Sequence, residues 1–121
     1  MLRPALFATV LIALAIAYGT LSPPGPPGPA WILTDKQIHA LAFALLMLPV
    51  ALSNPRFALR LAPVLFVYGG AIELIQPSFG RGAEWGDLLA DGIGIVAGLS
   101  SGWAVRRAFT RGKRGKRDTR V

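Results

Sequence analysis

The residues best suited to chemistry form three pairs, each spaced to lie on one face of a helix. The pairs are Asp35 with His39, Glu73 with Gln76, and Asp87 with Asp91. Side chains three or four residues apart are neighbours on a helix surface. Carboxylates and an imidazole can transfer protons, hold a divalent cation or bond to hydroxyl groups. The sequence therefore predicts one polar site built from three helices.

Two cationic side chains accompany these pairs. Lys36 directly follows the first acid, and Arg81 lies between the second pair and the third. Such side chains bind anionic groups, so we expect Lys36 and Arg81 to contact an anionic ligand. The acids of the second and third pairs would hold these cations in place or accept hydrogen bonds from ligand hydroxyl groups. Because an imidazole titrates near neutral pH, His39 would modulate binding.

The elements that must carry these pairs are four apolar segments. They are residues 4–21, 38–52, 61–75 and 88–105, and each of the last three contains a single acidic or imidazole side chain. A helix of about 20 residues spans a hydrocarbon core of about 30 Å. We therefore predict an all-α integral membrane bundle within residues 1–105. Its four transmembrane helices are expected at about residues 4–22, 34–52, 57–76 and 87–105.

Residues typical of helix boundaries flank these segments. Thr34 and Gln37 have the spacing of a capping box, which predicts that the second helix starts near Thr34. Pro55 ends that helix, and Pro77 ends the third. Residues 23–29 consist of Pro and Gly. They indicate a stiff extended linker, because two collagen-like triplets are too few for a triple helix.

The first apolar segment has a second interpretation. Arg3, the apolar run and the sequence Ala15-Ile16-Ala17 resemble a secretory signal peptide with its cleavage site. The run continues past this site to Leu21, which favours a retained helix.

Composition separates the body of the chain from its last residues. The 121 residues are 53% apolar and 16% charged, whereas ordinary soluble domains are about 25% charged. The absence of Cys excludes disulfides, thiolate metal sites and a Cys nucleophile. Residues 106–121 hold eight basic residues and one acid, which accounts for the net charge of +7. We expect this segment to be a disordered basic tail that binds anionic membrane lipids and no nucleic acid.

The distribution of charge predicts the orientation. With four spans, both chain ends share a side with residues 53–60, and this side holds eleven of the thirteen basic residues. The opposite side holds Lys36 and Arg81, with five of the six acids in or near it. Basic residues in short loops stay cytoplasmic. We therefore expect an up-down, multi-pass bundle in the bacterial cytoplasmic (inner) membrane, with both termini cytoplasmic and the polar pocket facing outwards.

Small residues mark the packed face of the fourth helix. One stripe at helical spacing contains Asp87, Asp91, Gly94, Gly98 and Gly102. Small residues at this spacing let membrane helices approach closely, so the two acids should belong to the packed face. Gly69, four residues before Glu73, predicts a second close crossing. Any glycine face left uncovered would allow a homo-oligomer.

Together, these residues resemble the VanZ-like membrane protein family. The pattern is Asp35-Lys36-x-x-His39, then Glu73-x-x-Gln76, then Arg81 and Asp87 before a Gly-rich helix. The resemblance covers about residues 21–102 and departs from the family at Asp91, where an amide such as Asn is expected. It implies that the residues of this pattern are the functional cluster. It also implies a link to low-level teicoplanin resistance, through the member that names the family, and no established reaction.

Three functions are compatible with this pattern. The first is a non-enzymatic membrane protein whose pocket binds a polar or phosphorylated cell-envelope ligand, with no cofactor and no resident metal. Its ligand-binding residues would be Asp35, Lys36, His39, Glu73, Gln76, Arg81, Asp87 and Asp91. The alternative is a metal-assisted or acid–base hydrolase, although HExxH spacing and a Ser/His/Asp arrangement are absent. A third interpretation treats the polar residues as a clasp that holds the helices together.

Overall fold

The computed structural model describes residues 2–22, 35–79 and 85–118, except for the side chains of residues 35, 79, 114 and 116–118. Its elements are α1 (Leu2–Leu21), α2 (Asp35–Ser53), α3 (Pro55–Ile75), a 3₁₀ helix (Gln76–Phe79) and α4 (Trp85–Asp118). Each of the four α-helices is long and apolar enough to cross a membrane. The all-α prediction is therefore confirmed, and the four helices are compatible with a multi-pass membrane protein.

The junction of α2 and α3 follows the turn chemistry of the sequence. Asn54 lies between the helices in an extended conformation, and its side chain accepts a hydrogen bond from the Phe57 amide at 3.1 Å. Pro55 occupies the first turn of α3. Backbone N–H groups in a first turn have no acceptor within the helix, so the missing N–H of proline costs no hydrogen bond there. A 3₁₀ helix that contains Pro77 follows α3. The predicted cap at Thr34, the linker at residues 23–29 and the segment around Arg81 lie outside the described residues.

The central helix of the bundle is α2. Its most extensive interface is with α4. The α2 residues that are at most 1% exposed are Phe43, Leu46, Met47, Val50 and Ala51. A helix that is apolar on most of its surface is expected in such a central position. The residues of the polar site at the start of α2 are therefore attached to the most buried element of the fold.

Glycines bring α4 into close contact with α2. The contact pairs are Gly94 with Ala40, Gly98 with Ala44, and Gly102 with Ala51. A Cβ atom at Gly98 would lie 2.6 Å from the Ala44 carbonyl oxygen, which is closer than real carbon atoms approach. The predicted packed face of α4 is therefore confirmed. Residue numbers increase in the same order on both helices in these pairs, so α2 and α4 run in the same direction. Because α2 covers the glycine face of α4, a second copy of the chain cannot pack against that face.

Polar contacts to backbone carbonyls attach α1 to its neighbours. Thr9 Oγ1 donates a hydrogen bond to the Leu46 carbonyl of α2 at 3.0 Å. The Tyr68 hydroxyl of α3 donates to the Ala13 carbonyl of α1. Hydroxyl groups inside a membrane bundle find partners on neighbouring helices in this way. These contacts were not predicted, because residues 4–21 carry no charged side chain that would indicate a polar contact.

Residues 106–118 of the basic segment are helical, which corrects the expectation of disorder for this part of the tail; residues 119–121 lie outside the described residues. Helix α4 continues through this segment to Asp118. Arg, Lys and Ala are good helix formers, and extending an existing helix avoids the cost of nucleation. Arg106 anchors the junction, since its Nη1 donates to the carbonyls of Leu52 and Ser53 at 2.9 and 3.0 Å. A cation at the C-terminal end of α2 also complements its helix dipole.

Apolar side chains cover much of the outer surface. Leu14, Val67 and Leu74 are each more than 60% exposed, as expected of side chains that face lipid. Trp85 and Trp103 are exposed and flank the apolar run at residues 88–102 of α4. Their separation of 18 positions corresponds to about 27 Å of helix, which is close to the membrane core of about 30 Å. This spacing is typical of interfacial tryptophans.

Candidate functional site

A hydrogen-bonded imidazole forms the centre of the site. His39 Nδ1 lies 2.9 Å from Asp91 Oδ1, and His39 Nε2 lies 3.9 Å from Asp87 Oδ2. All three side chains are buried. Because the two carboxylates are one helical turn apart on α4, the ring from α2 has an acid near each of its nitrogens.

Glu73 of α3 joins this group. It is 4% exposed, and one possible ligand atom each from His39, Glu73 and Asp87 lie within 4.8 Å of one another. We call His39, Glu73, Asp87 and Asp91 the polar cluster. Ionisable groups within a membrane span are costly unless they face partners inside the protein. The structure thus brings together these four residues from three helices, as the spacing of the pairs predicts.

Two glycines make room for the charged side chains of the site. A Cβ atom at Gly69 would lie 2.7 Å from Asp91 Oδ2, and one at Gly86 would lie 2.7 Å from Lys36 Cε. Any larger residue would displace these groups. Gly69 therefore admits the carboxylate of Asp91 between α3 and α4, at the predicted close crossing. The contact at Gly86 was not foreseen.

Lys36 lies at the rim of the polar cluster. Its Nζ is 4.0 Å from Asp87 Oδ1, and its side chain is 55% exposed. The long stem of a lysine lets its ammonium group reach the interface while its carbons cover apolar surface. Lys36 is therefore positioned to contact an anionic group that approaches from outside the bundle.

Gln76 connects the end of α3 to α1. Its Nε2 donates to the Thr20 carbonyl at 3.1 Å, and the residue is 2% exposed. Its Oε1 and the Oδ1 of Asp87 are buried and accept no hydrogen bond from the described residues. A buried acceptor without a donor costs about 1–3 kcal/mol. Both atoms therefore favour a ligand that supplies donors or positive charge.

The structure describes the side chains of six of the eight predicted site residues. Arg81 and the side chain of Asp35 lie outside the described residues. Among the remaining six, four form the polar cluster, Lys36 lies at its rim, and Gln76 bonds to α1.

An apolar groove between α1 and α2 ends at the polar cluster. It has a volume of about 510 Å³, and its lining includes Ile12, Ile16, Thr20, His39 and Leu45. Between Ile12 and Thr20 it follows about 12 Å of helix. Among the described residues that line the groove, His39 is the one with an ionisable side chain. The groove was not predicted; a sequence signal for it is the pair of small residues Ala15 and Gly19 on the same face of α1.

The other end of the bundle contains a basic cleft of about 720 Å³. Its charged and aromatic lining residues are Arg56, Trp103, Arg106 and Arg107. The guanidinium of Arg107 lies 5.1 Å from the centroid of the Trp103 ring, which is within the range of a cation–π contact. None of the described residues that line the cleft is acidic, so the cleft is suited to anionic groups.

Comparison with protein-family models, with curated proteins and with solved structures gives no match for this chain. The VanZ-like resemblance therefore stays a prediction. Function has to be inferred from the polar cluster and from the groove that ends at it.

Proposed function

We propose that the chain is a VanZ-like protein of the bacterial cytoplasmic membrane that binds a phosphorylated cell-envelope lipid without altering it. The observation that carries the proposal is that His39 belongs to the polar cluster and also lines the apolar groove. An amphiphilic ligand needs apolar and polar surfaces side by side, and binding sites combine apolar walls with a few convergent polar groups. The groove takes the lipid chain, and the cluster and its rim take the headgroup.

The headgroup binds in two parts. Lys36 at the exposed rim contacts the phosphate, together with Arg81 as the sequence predicts. The three carboxylates of the polar cluster repel a phosphate, so it stays at the rim. Hydroxyl or amide donors of the headgroup reach the buried acceptors Asp87 Oδ1 and Gln76 Oε1. This division explains why a phosphate-binding site also contains buried acids.

We infer an up-down bundle with both termini in the cytoplasm and the polar cluster at the outer face. The parallel course of α2 and α4 supports this arrangement, since helices two apart in an up-down bundle run in the same direction. The concentration of basic residues at the opposite end also supports it. Arg56, Arg106 and Arg107 line the cleft there, and basic residues favour the cytoplasmic side.

Native mass spectrometry of the full chain tests the proposal. The probes are an isoprenyl monophosphate and the matching isoprenol, which lacks the phosphate. We expect retention of the monophosphate and about tenfold weaker retention of the alcohol, a difference of about 1.4 kcal/mol. The double variant Lys36→Gln with Arg81→Gln should lose this preference for phosphate.

A tryptophan in the groove provides the second arm of this test. Ala42→Trp fills the groove and should reduce binding of both lipids. Val67→Trp is the matched control, since Val67 is 70% exposed on α3 and does not line the groove. Unchanged binding in Ala42→Trp, or equal loss in both tryptophan variants, would rule out the groove as the binding site.

A hydrolase is the second candidate, and the position of His39 between two carboxylates favours it. An imidazole held by an acid can transfer protons. Release of inorganic phosphate from an isoprenyl diphosphate, abolished by His39→Ala and Glu73→Gln, would support hydrolysis. Absence of release leaves binding as the function.

The clasp interpretation makes a different prediction about Glu73. If the polar cluster only holds the helices together, Glu73→Ala lowers the thermal unfolding temperature in detergent. If the cluster is a ligand site, the same variant keeps its folding and loses lipid binding. An increase in teicoplanin resistance on expression, lost in Lys36→Gln, would extend the proposal to the antibiotic.

A further inference from the structure

We infer that the polar cluster binds one divalent cation of the Zn²⁺ class through His39, Glu73 and Asp87. Their possible ligand atoms lie within 4.8 Å of one another. Three atoms at this separation are at most about 2.8 Å from a common centre, and bonds from zinc to nitrogen or oxygen are about 2.0–2.2 Å long. Side-chain shifts of less than about 1 Å therefore bring all three atoms to bonding distance of one ion.

Asp91 positions the imidazole for this role. Its Oδ1 lies 2.9 Å from His39 Nδ1, so the other ring nitrogen, Nε2, faces Asp87 at 3.9 Å. Histidines that bind metals commonly donate their second N–H to a carboxylate, which fixes the tautomer and the ring orientation. Asp91 is thus a positioning residue, and Gly69 provides the space for its second oxygen.

Charge and hydrogen bonding independently favour a cation here. Glu73, Asp87 and Asp91 are buried within candidate membrane spans, where uncompensated charge is costly. Among the described residues, Lys36 is the cation beside them. Asp87 is 5% exposed, and its Oδ1 accepts no hydrogen bond from the described residues.

The donor set indicates which ion is bound. One nitrogen with two carboxylate oxygens suits Zn²⁺ better than Mg²⁺ or Ca²⁺, which prefer oxygen alone. Three protein ligands leave a fourth position open in a tetrahedral site. That position can take water or an oxygen of a ligand. The inference goes beyond lipid binding and does not rest on it.

Metal analysis of the full chain in detergent tests the inference. The protein is stripped with a chelator, dialysed against Zn²⁺ and analysed for bound metal, and we expect one ion per chain. Glu73→Gln and Asp87→Asn should abolish stoichiometric binding. Asp91→Asn should keep the stoichiometry and weaken the affinity by about 10–100-fold. Asp118→Asn, at the far end of α4, is the matched control and should bind like the wild type.

A second measurement needs no variant. The chain has a single His, so ¹⁵N spectra of the wild-type protein report on one imidazole. Zn²⁺ should shift the Nε2 resonance while Nδ1 stays protonated. An unshifted imidazole, or equal Zn²⁺ binding by all variants, overturns the inference. Lipid binding is measured separately on the chelator-treated protein, so failure of one proposal is distinguishable from failure of the other.

Discussion

The two ends of the bundle handle charge in opposite ways. At the polar cluster, ionisable side chains from three helices are buried, and His39 lies 2.9 Å from Asp91. At the basic cleft, exposed arginines bond to backbone carbonyls or lie on an aromatic ring. Buried charges depend on fixed partners, whereas exposed charges attract anionic surfaces without a fixed geometry. The end with the polar cluster is therefore suited to binding a specific ligand, and the end with the basic cleft to holding the protein against an anionic surface.

The largest effect is expected when the buried end loses a partner. Asp91→Leu leaves the imidazole of His39 without its acceptor, and a buried donor left unpaired costs about 1–3 kcal/mol, or more if the group is charged. The free energy of unfolding in detergent should fall by this amount. Asp118→Asn removes a carboxylate from the basic end and should change it little. Similar losses in both variants would contradict the contrast between the ends.

A smaller effect is expected from glycines that differ in their surroundings. Gly69→Ala places a Cβ 2.7 Å from Asp91 Oδ2, which displaces the carboxylate and costs about 1–3 kcal/mol of unfolding free energy. Gly112 on α4 has no atom within 4 Å of such a Cβ. Gly112→Ala should be neutral or stabilise the protein by up to about 1 kcal/mol. Thermal unfolding of both variants checks whether their effects have opposite signs.

The anchor at the basic end should contribute less. Arg106→Gln removes two hydrogen bonds to the carbonyls of Leu52 and Ser53. Because this arginine is exposed, the expected loss of unfolding free energy is about 1 kcal/mol or less. Arg106→Lys keeps the charge. Comparing its unfolding free energy with that of Arg106→Gln shows how much of the stabilisation depends on the geometry of the guanidinium. A loss as large as that of Asp91→Leu would show that the basic end is also structural.

The smallest effect on stability is expected from substitutions in the part of α4 that follows Arg106. Arg111→Gln with Lys113→Gln changes two exposed side chains and should leave the unfolding temperature unchanged. The preference for anionic over zwitterionic phospholipid in native mass spectra should weaken by about 1 kcal/mol per charge. An unchanged lipid preference would mean that the basic segment does not attach to anionic lipid.

The elements of the fold could be predicted where the sequence pattern is strong. Long apolar runs specify the helices, and the stripe through Asp91 and Gly98 specifies which face of α4 is packed. Spacing also predicted that His39 and Glu73 converge, because buried ionisable groups have to face one another in a membrane bundle. These features depend on one helix at a time or on a strong energetic preference.

The groove between α1 and α2 and the bond from Gln76 to α1 could not be predicted. The groove between α1 and α2 results from the separation of their surfaces, which the periodicity of either helix does not specify. Gln76 bonds to a carbonyl of α1, and every residue offers such a carbonyl, so no side-chain pattern identifies the partner. The basic segment was expected to be disordered because of its high charge density. Its Arg, Lys and Ala residues nevertheless favour a helix.

Helix α4 is a single continuous rod of 34 residues, about 51 Å long. It contains no proline, so it has none of the kinks that prolines introduce. A hydrocarbon layer of about 30 Å covers little more than half of this length. If ligand binding at the polar cluster tilts α4 near Asp91, the other end of the helix is displaced further than Asp91 itself. A spectroscopic label near Gly112 would therefore report on binding at the opposite end of the bundle.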